Sequence, residues 1–163
     1  MKIIKCDYTQ LEIVKELAYA IWPYAYAEIL SKEQLVYMLD LFYNPEALLK
    51  QAENGQQFYL VENEKQEYVG FVSYEINCEP NKTKIHKIYV LPKTQGSGVG
   101  KQLFEFVKSR AEENQQKAIF LNVNKYNKAQ EFYLKLGFKI TKEEVIDIGN
   151  NYIMDDYVME LAL

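Results

Sequence analysis

Three of the seven glycines in this 163-residue chain fall within eight residues, Thr94-Gln95-Gly96-Ser97-Gly98-Val99-Gly100-Lys101. The run before them, Lys84–Leu91, is rich in β-branched and aromatic residues and reads as a strand. The run after them places Val99, Leu103, Phe106, Val107 and Arg110–Ala111 at helical spacing. The chain must therefore pass from strand to helix through a backbone with few Cβ atoms. Such a turn leaves the first N–H groups of the helix unpaired, with the helix dipole behind them. Glycines let the loop close on an anion there.

The remaining pattern alternates in the same way. Lys2–Asp7 reads as a strand, and Thr9 with Glu12 as a capping box for a helix carried by Leu11, Val14, Leu17, Ala18 and Ile21. Pro23 is expected to interrupt that helix. Ser31, supported by Gln34, opens a second helix through Leu35, Met38, Leu39 and Phe42, and Asn44-Pro45 a third that ends near Asn54-Gly55. Phe58–Glu62, Tyr68–Ile76, Ala118–Val123, Phe138–Val145 and Tyr152–Leu161 read as further strands, with a helix at Ala129–Leu136 stopped by Gly137. The order predicts one mixed α/β domain over residues 1–163.

Composition narrows the function classes. Hydrophobic residues make up 48% and charged residues 26%, which suits a packed core rather than disorder. A net charge of −4 argues against a nucleic-acid partner. No apolar run approaches the ~18 residues of a membrane span, and the first residues lack a signal-peptide pattern. Cys6 and Cys78 have no metal-ligand spacing and read as reduced thiols, so the expectation is a cytoplasmic, metal-free protein.

Three kinds of phosphate loop carry glycines at such spacing. A Walker loop needs glycine where Gln95 stands and Ser or Thr where Gln102 stands. A Rossmann loop needs glycine or alanine at Lys101 and a place near the first strand of a βαβ unit. Q-x-x-G-x-G fits at Gln95, Gly98 and Gly100. Downstream, Asn127 begins the pattern N-x-A-x-x-F-Y-x-x-x-G-F, which includes Ala129, Phe132, Tyr133, Gly137 and Phe138. With the preceding strand His86-Lys87-Ile88-Tyr89-Val90-Leu91-Pro92, these two motifs make Lys84–Phe138 resemble the core of the GNAT superfamily of N-acetyltransferases.

That resemblance implies about seven mostly antiparallel strands, a splayed parallel central pair, and flanking helices. It implies acetyl-CoA as acetyl donor and a primary amine as acceptor, attacked directly through a tetrahedral intermediate. The pantetheine would pair with the backbone of Ile88, Tyr89 and Val90, and the pyrophosphate would lie on Gln95, Gly96, Ser97, Gly98, Val99, Gly100 and Lys101. Asn122 and Asn127 would border the same cofactor, with Asn127 also suited to capping the next helix. An N–H near Val90 would serve the oxyanion, and Tyr133 would be the general acid. Relatives often place a glutamate on the strand where this chain has Lys84, His86 and Ile88, which strict alternation would put on one face. His86 is therefore the candidate base or water relay, with Glu75, Asp155 and Asp156 as further relays. Trp22, Tyr24, Tyr26 and Tyr37 belong to the acceptor side. The tail, Gly149 to Met159, is similar to bacterial polyamine acetyltransferases, so a polyamine or other small amine is the first acceptor and a protein amine the second. A non-catalytic acyl-CoA sensor is the alternative class, and the expected assembly is a monomer or homodimer.

Overall fold

A computed structural model describes all residues, 1–163. Seven strands form one sheet in the order β1-β2-β3-β4-β5-β7-β6. They are β1 (Lys2–Lys5), β2 (Gln57–Glu62), β3 (Tyr68–Glu79), β4 (Lys82–Val90), β5 (Ala118–Asn124), β6 (Lys139–Gly149) and β7 (Tyr152–Ala162). Every neighbouring pair is antiparallel except β4–β5, which is parallel. Five helices cover the sheet: α1 (Leu11–Ala25), α2 (Lys32–Tyr43), α3 (Pro45–Glu53), α4 (Val99–Glu113) and α5 (Ala129–Lys135).

Local chemistry fixes the helix starts. Ser31 Oγ accepts from Gln34 N at 3.1 Å, and Asn44 Oδ1 accepts from Ala47 N at 2.9 Å with Pro45 beside it at the first helical position. The first helix differs from the expectation. Asp7, not Thr9, caps a short 3₁₀ turn and forms the reciprocal box with Gln10, while Thr9 Oγ1 donates to Asp7 at 2.6 Å. Asp wins because a carboxylate accepts from both groups at once. Pro23 does not end α1, which runs on to Ala25. Proline there forgoes one hydrogen bond, to the Tyr19 carbonyl in the preceding turn, and the helix resumes after it with Tyr26 N–H donating to Trp22 O.

Alternation on the strands builds two cores, one on each face of the sheet. Leu103, Phe104, Val107 and Ala111 of α4 pack with Val72, Tyr74, Ile85 and Ile119. Val14, Ile21 and Trp22 of α1, Leu39 and Tyr43 of α2, and Leu48 of α3 pack with Phe58, Leu60 and Phe71. Phe106 is only partly buried, where the sequence pattern put it in the stripe; Phe104 takes that place. Phe106 instead lies under the Arg110 guanidinium, 5.1 Å from its ring centroid.

One irregularity shapes everything downstream. Ser73 pairs with Lys87 and Tyr74 with Ile85, so His86 is an extra residue in β4, a bulge. The slip reverses the expected facing. Ile85 and Ile88 turn to the α4 core, whereas Lys87 and Tyr89 turn to the α1–α3 side. Lys84, His86 and Ile88 therefore do not share a face as unbroken alternation predicts.

Candidate active site

β4 and β5 are paired only over Lys82–Lys84 and Ala118–Phe120. Beyond that seam they part, and a cavity of about 630 Å³ opens between them. It is bordered by Ile85–Val90 of β4, Leu121–Val123 of β5, the glycine loop and the start of α5.

Backbone direction along β4 says what the gap offers. Leu91 N–H donates across to Val69 O of β3 at 2.8 Å. Successive residues of a strand aim their backbone groups to opposite sides, so those of Val90 and Ile88 face the gap and those of Tyr89 face β3. The Val90 carbonyl accepts from Gln95 Nε2 at 3.3 Å. Of the three residues expected to pair with an extended arm, two thus present backbone to it. Tyr89 borders the gap by its side chain, and its hydroxyl lies 2.8 Å from that of Tyr26.

At the far end stands the head of α4. Its N-cap is Gly98 in the left-handed region (φ 84°), and no side chain caps it. Gly96 is left-handed as well (φ 85°), and a Cβ on either would meet nothing within 4 Å. Their glycines answer a conformational need, not a shortage of space. The first N–H bonded within α4 is that of Gln102, to Gly98 O at 3.0 Å. The N–H groups from Gly96 to Lys101 are free for a phosphate, whereas that of Gln95, expected to share in it, already donates to Pro92 O at 3.2 Å. Thr94, Gln95, Gly96, Gly98, Val99, Gly100 and Lys101 all border the cavity. Ser97 does not; its hydroxyl turns back onto the Thr94 carbonyl. Lys128, which the motif reading passed over, is an exposed cation on the same rim. These features fit a coenzyme A: unpaired strand edge for amides, free helix N–H groups and lysines for phosphates.

Asn127 lines the gap while its Oδ1 accepts from Ala129 N at 2.9 Å, so it does cap the turn into α5. Tyr133 of α5 also lines the gap, held edge-on between Phe132 and Phe138 at 5.2 and 5.6 Å. Burial, with Tyr26 adding to it, pushes its hydroxyl well above the usual phenol range, so it remains a proton donor throughout the physiological range.

A second cavity of about 410 Å³ lies on the α1–α3 side. Tyr26, Ile85, His86, Lys87, Tyr89 and Asn122 border both and mark where they meet. The other walls are mostly apolar, from Trp22, Leu30, Met38 and Phe42 to Ile148 and Met154 of the β6–β7 hairpin. Tyr37 fastens that hairpin to α2 by donating to Ile148 O at 2.6 Å. Tyr24, by contrast, is exposed and outside both cavities.

The meeting point is electrically unusual. His86 Nε2 lies 3.0 Å from Glu75 Oε1. Burial, then Lys84 and Lys87, lower the ring to about 3. The imidazole is therefore neutral at pH 7 and gives Nε2–H to Glu75. Lys87 is buried, and its Nζ donates to Gln51 Oε1 at 2.7 Å and Gln56 Oε1 at 3.1 Å. Burial, then Lys84, lower it to about 7. Asn122 Nδ2 donates to Glu144 at 2.8 Å and Asp156 at 3.3 Å, so its amide is engaged with carboxylates on the acceptor side of β5. Asp156 is buried, and desolvation pushes its carboxyl up. Asp155 is instead paired with Lys125 at 3.0 Å, outside both cavities. Glu75, Cys78 and His86 also stand close together. No spacing in the sequence revealed this, because irregular pairing of β3 with β4 between Glu75 and Glu79 is what gathers them.

The model of the acetyltransferase (GNAT) domain family matches residues 26–157. An uncharacterised N-acetyltransferase of Lactobacillus delbrueckii subsp. lactis is 28% identical over 116 residues, which are 67% of this chain and 66% of that protein. An uncharacterised N-acetyltransferase of Mycobacterium bovis is 33% identical over 52% of this chain and 54% of its own length. The chain thus spans between half and two thirds of these relatives. Among solved structures, the PaiA N-acetyltransferase of Thermoplasma acidophilum, in complex with coenzyme A, superposes with a TM-score of 0.82 at 23% identity, covering 99% of this chain and 98% of that one.

Proposed function

Since the chain belongs to the GNAT acetyltransferase family, we propose that it is an N-acetyltransferase that uses acetyl-CoA to acetylate a primary amine on a small molecule. The observation that carries this reading is the continuous path from the free head of α4, along the unpaired edge of β4, into the second cavity. Walls drawn from α1, α2 and the β6–β7 hairpin shape that cavity into a cleft of about 410 Å³, a size that suits a small acceptor. No helix is long and apolar enough to cross a membrane.

Bound acetyl-CoA would supply an activated acetyl thioester at the meeting of the two cavities. The residues of the chain do the rest. The loop and α4 hold the diphosphate, Ile88 and Val90 hold the amides of the arm, and the Val90 N–H, which faces the gap, donates to the thioester oxygen. Tyr133 gives its proton to the departing sulfur, which its raised pKa equips it to do. His86, neutral and bonded to Glu75, orients water at the junction and is too weakly basic to hold the acceptor's proton.

Calorimetric titration with acetyl-CoA, followed by a thiol-release assay over a panel of amines, tests the reading. Saturable heat and amine-dependent thiol release are expected. Absence of heat at saturating coenzyme would overturn it, and heat without release for any amine would leave a coenzyme-binding sensor.

A further inference from the structure

The ion pairs of the chain lie at exposed or half-buried positions, whereas its two buried charged side chains, Lys87 and Asp156, form none. Lys84 and Lys87 on β4 and Asp156 on β7 face the second cavity, and none has a partner of opposite charge within 4.0 Å. Lys87 and Asp156 are buried, and Lys84 is half-buried with Nζ 5.8 Å from the Phe120 ring centroid. Trp22, in the same wall, has its indole Nε1 buried beside the Tyr43 hydroxyl, outside good hydrogen-bond geometry. Unpaired charge in such a place lowers stability unless something answers it. One wall therefore offers donors to an anion, the other a carboxylate to a cation, and the space beyond is lined by Leu30, Met38, Ile148 and Met154.

Resting on the acetyltransferase reading above, we propose that the acceptor is a zwitterion: an α-amino acid with an apolar side chain. Its carboxylate meets Lys87 and Lys84. Its ammonium meets Asp156 beside Asn122, which borders both cavities, and the apolar side chain lies toward the hairpin. The lowered pKa of Lys87 and the raised pKa of Asp156 have the sign of groups that gain by meeting an opposite charge. A polyamine, with cations along its length, would set one of them against the two lysines. In the reaction the ammonium loses two protons: one goes to solvent, and the other restores the proton that Tyr133 gives to the departing sulfur. The nitrogen bonds the acetyl carbon as the carbon–sulfur bond breaks, leaving an N-acetyl amino acid and free coenzyme.

The test compares L-leucine, isopentylamine (the same skeleton without the carboxylate) and spermidine as acceptors with acetyl-CoA. Leucine is expected to exceed both in kcat/KM by about tenfold or more, since a site built around a polar group rejects the analogue that lacks it. Lys87→Met is expected to collapse the leucine-to-isopentylamine ratio at least about tenfold, and Lys84→Met, at a more exposed position, to lower it in the same direction. Equal or better turnover of isopentylamine or spermidine would overturn the proposal, as would no turnover of leucine. A ratio unchanged in both variants would do the same. Coenzyme binding measured on the same protein separates the two ideas. Intact heat with the wrong acceptor preference removes only the zwitterion, while missing heat removes the acetyltransferase reading itself.

Discussion

Tyr133 combines three circumstances at one residue: contact with the gap, packing between two rings, and a hydroxyl that burial keeps protonated. Tyr133→Phe keeps the packing and removes only the proton. It should lower kcat by about 10²–10⁴-fold with the coenzyme dissociation constant nearly unchanged, measured by steady-state kinetics beside calorimetry. His86 differs from its sequence-based expectation in a specific way. As the chain's one histidine it promised a titration near neutrality, but burial beside two lysines lowers it to about 3. His86→Ala should therefore leave the shape of the kcat/KM profile between about pH 6 and 8 unaltered, whatever it does to the plateau. A lost inflection in that interval would restore the histidine as a base. Lys87 was not legible as a site residue at all, because the bulge that turns it toward the acceptor cavity has no signature in the letters Ile85-His86-Lys87.

At the scale of elements, the α4 head was the most legible part of the molecule. Its glycines, the preceding strand and the apolar spacing all agreed, and the structure places Gly98 as a left-handed N-cap. Gly98→Ala imposes about 1–2 kcal/mol of left-handed strain without a clash, so coenzyme binding should weaken roughly tenfold while acceptor KM is little affected. The β6–β7 hairpin carried a legible turn at Gly149-Asn150 but no hint of its docking. A Cβ at Gly149 would stand 2.8 Å from the Tyr37 hydroxyl, where the backbone is also left-handed (φ 86°). Gly149→Ala should push the hairpin off α2, raise acceptor KM severalfold, and leave the coenzyme titration as it was. An unchanged acceptor KM would show that the hairpin does not set the width of that cavity. The start of α1 was misplaced for a simpler reason: Asp7 and Thr9 both suit a cap, and only the backbone distinguishes them.

For the whole molecule, the interior lysine on the α1–α3 side of the sheet ties stability to pH. Lys87 is lowered to about 7 in the folded chain, against ~10.4 when unfolded. Between those values the unfolded chain holds more protons, so folding stability should rise with pH across that window. The deficit is fully present below about 7 and relieved as the amine deprotonates. Denaturant unfolding from about pH 7 to 9 should show that rise in the native sequence and a flatter dependence in Lys87→Met. Parallel slopes would mean that Lys87 is solvated. The seven-stranded order itself was legible only through the resemblance of the two motifs, since nothing in an alternating pattern says which strands become neighbours.

The three-residue seam between β4 and β5 has a consequence for how such a chain can change over generations. Zipping those strands together for a few residues more would satisfy idle amides and carbonyls and yield a sturdier protein. It would also shut the corridor. Robustness and turnover therefore draw on the same handful of backbone groups, and a variant selected for heat resistance alone is expected to close there first.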